Sequence, residues 1–135
     1  MAKPPMDASL TWSRELIFTA SSGSQTMTLD GKGKAGPSPM QVLAFGIAGC
    51  MSMDVVDILR KGRHPVTGCD VAFQGERAQE PPHRFTGVTL TFIVHGDVPS
   101  DAVRRAIALS HEKYCSVSNS LRGDITFLTE FEVRP

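Results

Sequence analysis

The chain has 135 residues, with Lys+Arg and Asp+Glu both at 14 and a formal net charge of zero. At 41% hydrophobic and 21% charged, it has the composition of a globular protein, not of a disordered or collagen-like chain, and its length suits a single domain that buries its own core. Balanced charge excludes a surface built to collect phosphates, so nucleic acid is not expected as a partner.

Residues 1–8 read as a loose lead-in. Leu10, Trp12, Leu16 and Phe18 are apolar at even positions, the period of a half-buried strand. Ser21 to Ser24 form a turn, Thr26 to Leu29 a further strand, and Asp30 to Gly36 a loop expected to be a flexible surface turn. Ser38, Pro39 and Gln41 then spell a helix start, with Ser38 as N-cap and Gln41 completing a Ser-x-x-Gln capping box. Met40, Ala44, Ile47, Met51, Val55 and Ile58 follow on one face. Gly62 is the expected stop, and Arg60 and Lys61 suit the negative helix end. The uncharged stretch Pro39 to Met53 is shorter than the ~18–20 residues of a membrane span.

Val66 to Arg77 and Arg84 to His95 read as a hairpin around Ala78-Gln79-Glu80-Pro81-Pro82. Ser100 is expected to cap a second helix in which Val103, Ile107, Ser110, Tyr114, Val117 and Leu121 recur every three or four residues and which Gly123 ends. Ile125, Phe127, Phe131 and Val133 form a last strand. The order is βββ-α-ββ-α-β, an α+β fold.

Three cysteines, Cys50, Cys69 and Cys115, are an odd number without a Cys-x-x-Cys pair. They read as thiols of a reducing compartment, not as a disulfide framework. No cationic start followed by an apolar core marks the N-terminus, so a cytoplasmic protein without a membrane partner is expected. Packing the two helices together would bring Cys50 and Cys115 close; the bland alternative is that both are small buried hydrophobes. Gly46 and Gly49 each weaken a helix interior by ~1 kcal/mol and suggest that something approaches the backbone near Cys50. After Cys115 the run Ser116-Val117-Ser118-Asn119-Ser120 suits a polar site better than a helix core. His111 and Cys115, at i and i+4, offer half of a zinc site or a thiol–imidazole pair, but no second ligand motif accompanies them, so no metal is expected. Gly31 to Gly36 lacks the order of a phosphate loop. Cys69 reads as an inert thiol.

Ser38-Pro39-Met40-Gln41-Val42-Leu43-Ala44-Phe45-Gly46-Ile47-Ala48-Gly49-Cys50, with Asp54-Val55-Val56-Asp57-Ile58-Leu59-Arg60-Lys61 after it, resembles the central helix of the OsmC/Ohr family (osmotically inducible protein C and organic hydroperoxide resistance proteins). Tyr114-Cys115-Ser116-Val117-Ser118-Asn119-Ser120-Leu121 resembles that family's second cysteine motif, and the likeness covers roughly residues 9–134. The stretch from Asp54 to Lys61 is most similar to the OsmC-like branch. The resemblance implies an intertwined homodimer with two long central helices flanked by sheets. It implies a peroxidatic Cys50 that attacks an organic hydroperoxide, a resolving Cys115, and an external dithiol or lipoylated protein as reductant, with no bound cofactor. The family commonly ion-pairs a Glu of the first helix with an Arg of the N-terminal strands. Gln41 stands at the Glu position, where the capping box is its competing role, and Arg14 is the candidate Arg, with an exposed strand residue as its competing reading. Phe45, Met51, Met53 and Phe85 are candidates to line an apolar pocket for the alkyl group, with Glu112 near it or in solvent. The alternative function is a non-catalytic protein of the same fold that binds a small apolar or thiol-reactive ligand at the dimer interface.

Overall fold

A computed structural model describes residues 3–135; the first two residues of the lead-in lie outside the described residues. The order is β1 (Ser9–Arg14), β2 (Ile17–Ser22), β3 (Gln25–Asp30), α1 (Pro39–Lys61), β4 (Gly68–Arg77), β5 (Phe85–His95), α2 (Ser100–Leu109) and β6 (Thr126–Arg134). This is the expected α+β sequence of elements, with two three-stranded sheets. The chain forms two compact units, one ending at Leu43 and the other Ala44–Pro135.

In the first unit β1, β2 and β3 make an antiparallel meander. The apolar period over Leu10 to Phe18 does not belong to one strand: the chain reverses at Glu15, which has a φ of 48°, and the Trp12 indole N–H donates to the Glu15 carbonyl at 2.8 Å. The even-position pattern survives because Trp12 pairs with Phe18 and Leu10 with Ala20 across the turn. The loop after β3 is an exposed turn, as expected, and is tied to Asp30. Buried Asp30 accepts backbone N–H groups of Lys32 at 2.9 Å, Ala35 at 2.9 Å and Lys34 at 3.2 Å. These bonds, with that from Ala35 foremost, hold its carboxyl below the ordinary carboxylate value. Gly36 is obligatory here, since a Cβ would stand 2.2 Å from the Thr28 carbonyl oxygen.

The capping box at the start of α1 forms as expected: Gln41 N–H donates to Ser38 Oγ at 3.2 Å and Ser38 N–H to Gln41 Oε1 at 2.9 Å. The helix end differs from expectation. Arg63, not Gly62, takes the left-handed conformation, with a φ of 64°. Its N–H donates to the Arg60 carbonyl at 2.9 Å and that of His64 to Leu59 at 3.0 Å, the paired bonds of a Schellman stop. A Cβ at Gly62 would meet the His64 ring at 3.0 Å.

In the second unit β5 is central, antiparallel to β4 and parallel to β6. Parallel pairing follows from the connection, since α2 lies between β5 and β6 and a parallel strand needs such a crossover. Val88, Leu90, Phe92 and Val94 of β5 are buried, as are Ile47, Met51, Val55 and Leu59 of α1 and Val103, Ala106 and Ile107 of α2. At 23 residues α1 is long and apolar enough to cross a bilayer by length and composition, beyond the shorter span that its uncharged stretch suggests. Its buried stripe lies within this chain's own core, and Asp54, Asp57, Arg60 and Lys61 follow in its second half.

The second helix is shorter than its periodicity predicts. Pro99, not Ser100, stands at its N-cap, where no side chain bonds to the helix; the Pro99 carbonyl receives the N–H groups of Ala102 and Val103 instead. The α-helix ends at Leu109, widens into one π-helical turn over Ser110–Tyr114, and breaks at Cys115, which is extended.

A thiol–carboxylate cluster at the α2 break

Cys50 and Asp54 are one turn apart on α1, so both side chains leave the same face. Cys115 is held by the break opposite. Its N–H reaches the Ser110 carbonyl at 2.7 Å, the five-residue step of a π turn. Asn119 Nδ2 donates to the carbonyls of Cys115 at 2.8 Å and His111 at 3.1 Å, satisfying acceptors that an ending helix leaves free. The Ser/Asn run after Cys115 is therefore a local cap, and Cys115 sits at its start instead of inside a continuous helix.

The two sulfurs and a carboxylate oxygen of Asp54 lie within 4.8 Å of one another. Ser110, fully buried, donates its hydroxyl to Asp54 Oδ2 at 2.8 Å. The Ser118 N–H points at Cys115 Sγ at 3.3 Å, and the Val117 backbone lies beside the Cys50 thiol. Cys115 is buried and Cys50 half-buried. Burial, above all, pushes the Cys50 thiol up from its ordinary value; the Val117 amide opposes this, while Cys115 and the Asp54 charge add to it.

Gln41 is committed to the Ser38 cap, and Arg14 is an exposed residue of β1 in the other unit. The apolar candidates are not gathered into one pocket. Met51 and Phe85 are core residues, and the Phe85 ring occupies the space a Cβ of Gly75 would need, 2.5 Å away. Phe45 and Met53 are exposed. Met53 borders a cleft of about 320 Å³ with Val56, Arg60 and Cys69, whereas Glu112, on the surface, borders another of about 440 Å³ with His111, Ser118 and Arg122. The reason is helical spacing: Met51 falls on the buried stripe of α1, and Phe45 and Met53 project from its other sides.

His111 does not pair with Cys115. The π turn breaks the i, i+4 alignment, and the imidazole lies tilted against Phe127 with ring centres 4.7 Å apart. Cys69, in β4, has its thiol pushed up by burial and then by Asp70. A Cβ at Gly46 would meet only Val117 Cγ1, at 3.7 Å, and one at Gly49 would meet nothing within 4 Å. The close approach expected from the two glycines is thus ordinary contact at one and open space at the other. Asp54 and Ser110 were not read from the sequence as site residues; the available signal was the four-residue step from Cys50 to Asp54.

Residues 31–130 match the family described as OsmC-like protein. The chain belongs to the OsmC-like family. It is similar to Protein YhfA of Escherichia coli (strain K12), with 40% identity over 131 residues, 95% of this chain and 98% of that protein. Its fold matches a hypothetical protein from Aquifex aeolicus VF5 at a TM-score of 0.90 and 26% identity, over 98% of both chains. It also matches an organic hydroperoxide resistance protein OsmC from Legionella pneumophila at a TM-score of 0.73 and 19% identity, over 98% of this chain and 100% of that one. This OsmC-like family membership agrees with the resemblance read from the two cysteine motifs.

Proposed function

We propose that the protein is a thiol-dependent peroxidase of organic hydroperoxides. The observation that carries this reading is the meeting of Cys50 and Cys115, far apart in sequence, with their sulfurs within 4.8 Å. Cys50, the more accessible thiol, attacks the terminal peroxide oxygen as thiolate. The O–O bond breaks, the alkoxide takes a proton and leaves as alcohol, and Cys50 becomes a sulfenic acid. Cys115 attacks that sulfur, water leaves, and a disulfide forms. An external dithiol or a lipoylated protein reduces it by exchange. The hydroperoxide resistance named for the Legionella relative fits this chemistry.

The active form in this reading is a cytoplasmic homodimer. Leu10, Trp12, Phe18 and Met27 lie on one face of the first sheet, and all four are exposed, as are Phe45 and Met53 on α1. A second copy of the chain covers these exposed apolar residues of each unit. Asp54 beside the thiols and Gln41 locked in a cap favour a second reading, a non-catalytic protein that binds a small apolar or thiol-reactive ligand at the same interface.

One equivalent of cumene hydroperoxide separates the two readings. A peroxidase loses two thiols and two mass units; Cys50→Ser abolishes the change, and Cys115→Ser stops at sulfenic or higher oxidation. Three thiols surviving unchanged would overturn the peroxidase.

A further inference from the structure

Two of the three donors of the cluster already have a partner that orients them. The Ser118 amide addresses the Cys115 sulfur, and the Ser110 hydroxyl binds one Asp54 oxygen and leaves the other free. Hydrogen bonds of this kind to thiolate and carboxylate ligands are how proteins orient a metal's ligands. A dithiolate with one carboxylate is a donor set for zinc or a similarly soft divalent ion. The size fits as well. Zn–S bonds of about 2.3 Å place two sulfurs of a tetrahedral site about 3.8 Å apart, a separation compatible with donors that lie within 4.8 Å of one another.

We infer that, with the thiols reduced, Cys50, Asp54 and Cys115 form a zinc site. Binding replaces the two thiol protons, which go to solvent, and no electron moves. Three protein donors leave the fourth tetrahedral position to water. The ion holds both sulfurs while it is bound, so the site is either metallated or open to oxidation. Ser110 acts through Asp54 and is a positioning residue. The site needs only its three donors and so does not depend on the peroxidase reading.

The test is titration of the reduced full-length protein with cobalt(II), as a spectroscopic stand-in for zinc, without any oxidant. One equivalent is expected to give intense visible bands of a tetrahedral ion and sulfur-to-cobalt charge transfer in the near ultraviolet, both displaced by zinc. Cys50→Ser reduces the charge transfer. Cys69→Ser leaves it unchanged. Asp54→Asn, isosteric and only half-buried, keeps the fold and weakens binding by at least about tenfold. Ser110→Ala weakens it less. Weak, pale octahedral spectra, charge transfer that persists undiminished in Cys50→Ser, or unaltered affinity in Asp54→Asn would each overturn the site. Loss of thiols to hydroperoxide is read separately by mass, so either result stands without the other.

Discussion

In the sheet of β1, β2 and β3, Leu10, Trp12, Phe18 and Met27 share one face and are exposed; in the sheet of β4, β5 and β6, Val88, Leu90, Phe92 and Val94 share one face and are buried. Both sheets alternate apolar and polar residues, and both are three-stranded. The second has helices in its own unit to supply core residues, among them Met51, Val55, Val103 and Ile107. The first is ordered chiefly by its ladder and by the amides gathered on Asp30. Alternation makes a sheet face apolar, but it does not supply what covers that face.

The sharpest way to break this contrast is truncation on each sheet. Phe92→Ala is expected to cost about 3–5 kcal/mol in urea unfolding, because its ring is fully buried. Trp12→Ala, at 62% exposure, should stay within about 0.5 kcal/mol in dilute protein. If the proposed second copy covers that face, the Trp12→Ala effect grows with protein concentration, and unfolding midpoints at several concentrations read it directly.

Glycines give the next largest effects. Gly36→Ala drives a methyl into the Thr28 carbonyl and should destabilise by about 1–3 kcal/mol. Gly49→Ala has free space and should gain up to about 1 kcal/mol in an α1 interior. A loss at Gly49, seen in thermal melts, would mean that another chain packs there.

Asp30 gives the first unit its own acid sensitivity. Its folded-state pKa lies below the ordinary carboxylate value, so its contribution is complete above the unfolded value of about 3.9 and is lost as pH falls through the folded one. Asp30→Asn should flatten that part of the stability profile, measured as unfolding midpoints between neutral and acid pH. The smallest effect is expected at the cluster. Asp54→Asn removes the weakest of the influences that raise the Cys50 thiol. With a chelator present it should speed thiol oxidation by hydroperoxide a few-fold at neutral pH, as followed by free-thiol count, because the thiolate is the reactive form.

Features made by neighbours in the chain were legible in the sequence alone. The Ser38–Gln41 capping box, the hairpin around the two prolines and the buried alternation of β5 each depend on residues a few positions apart, and each formed where expected. The two cysteine motifs sufficed for the family. Periodicity misled where two structures share it. Leu10 to Phe18 keeps one period through a reversal, because pairing across the turn restores it. Ser110 to Leu121 keeps a helical period through a π turn and a break, because the spacing of apolar residues does not register whether Asn119 caps a helix from outside or continues it. The left-handed residue of the α1 stop is Arg63, whereas a Cβ at Gly62 would press on the His64 ring.

By itself, then, the sequence determined the α+β order of elements and the family, since both are written in local pattern and motif. The tertiary structure decided which apolar face is covered, that β6 runs parallel beside β5, and that Asp54 and Ser110 join the two thiols. Those outcomes depend on contacts between residues far apart in the chain, and no local rule of spacing contains them.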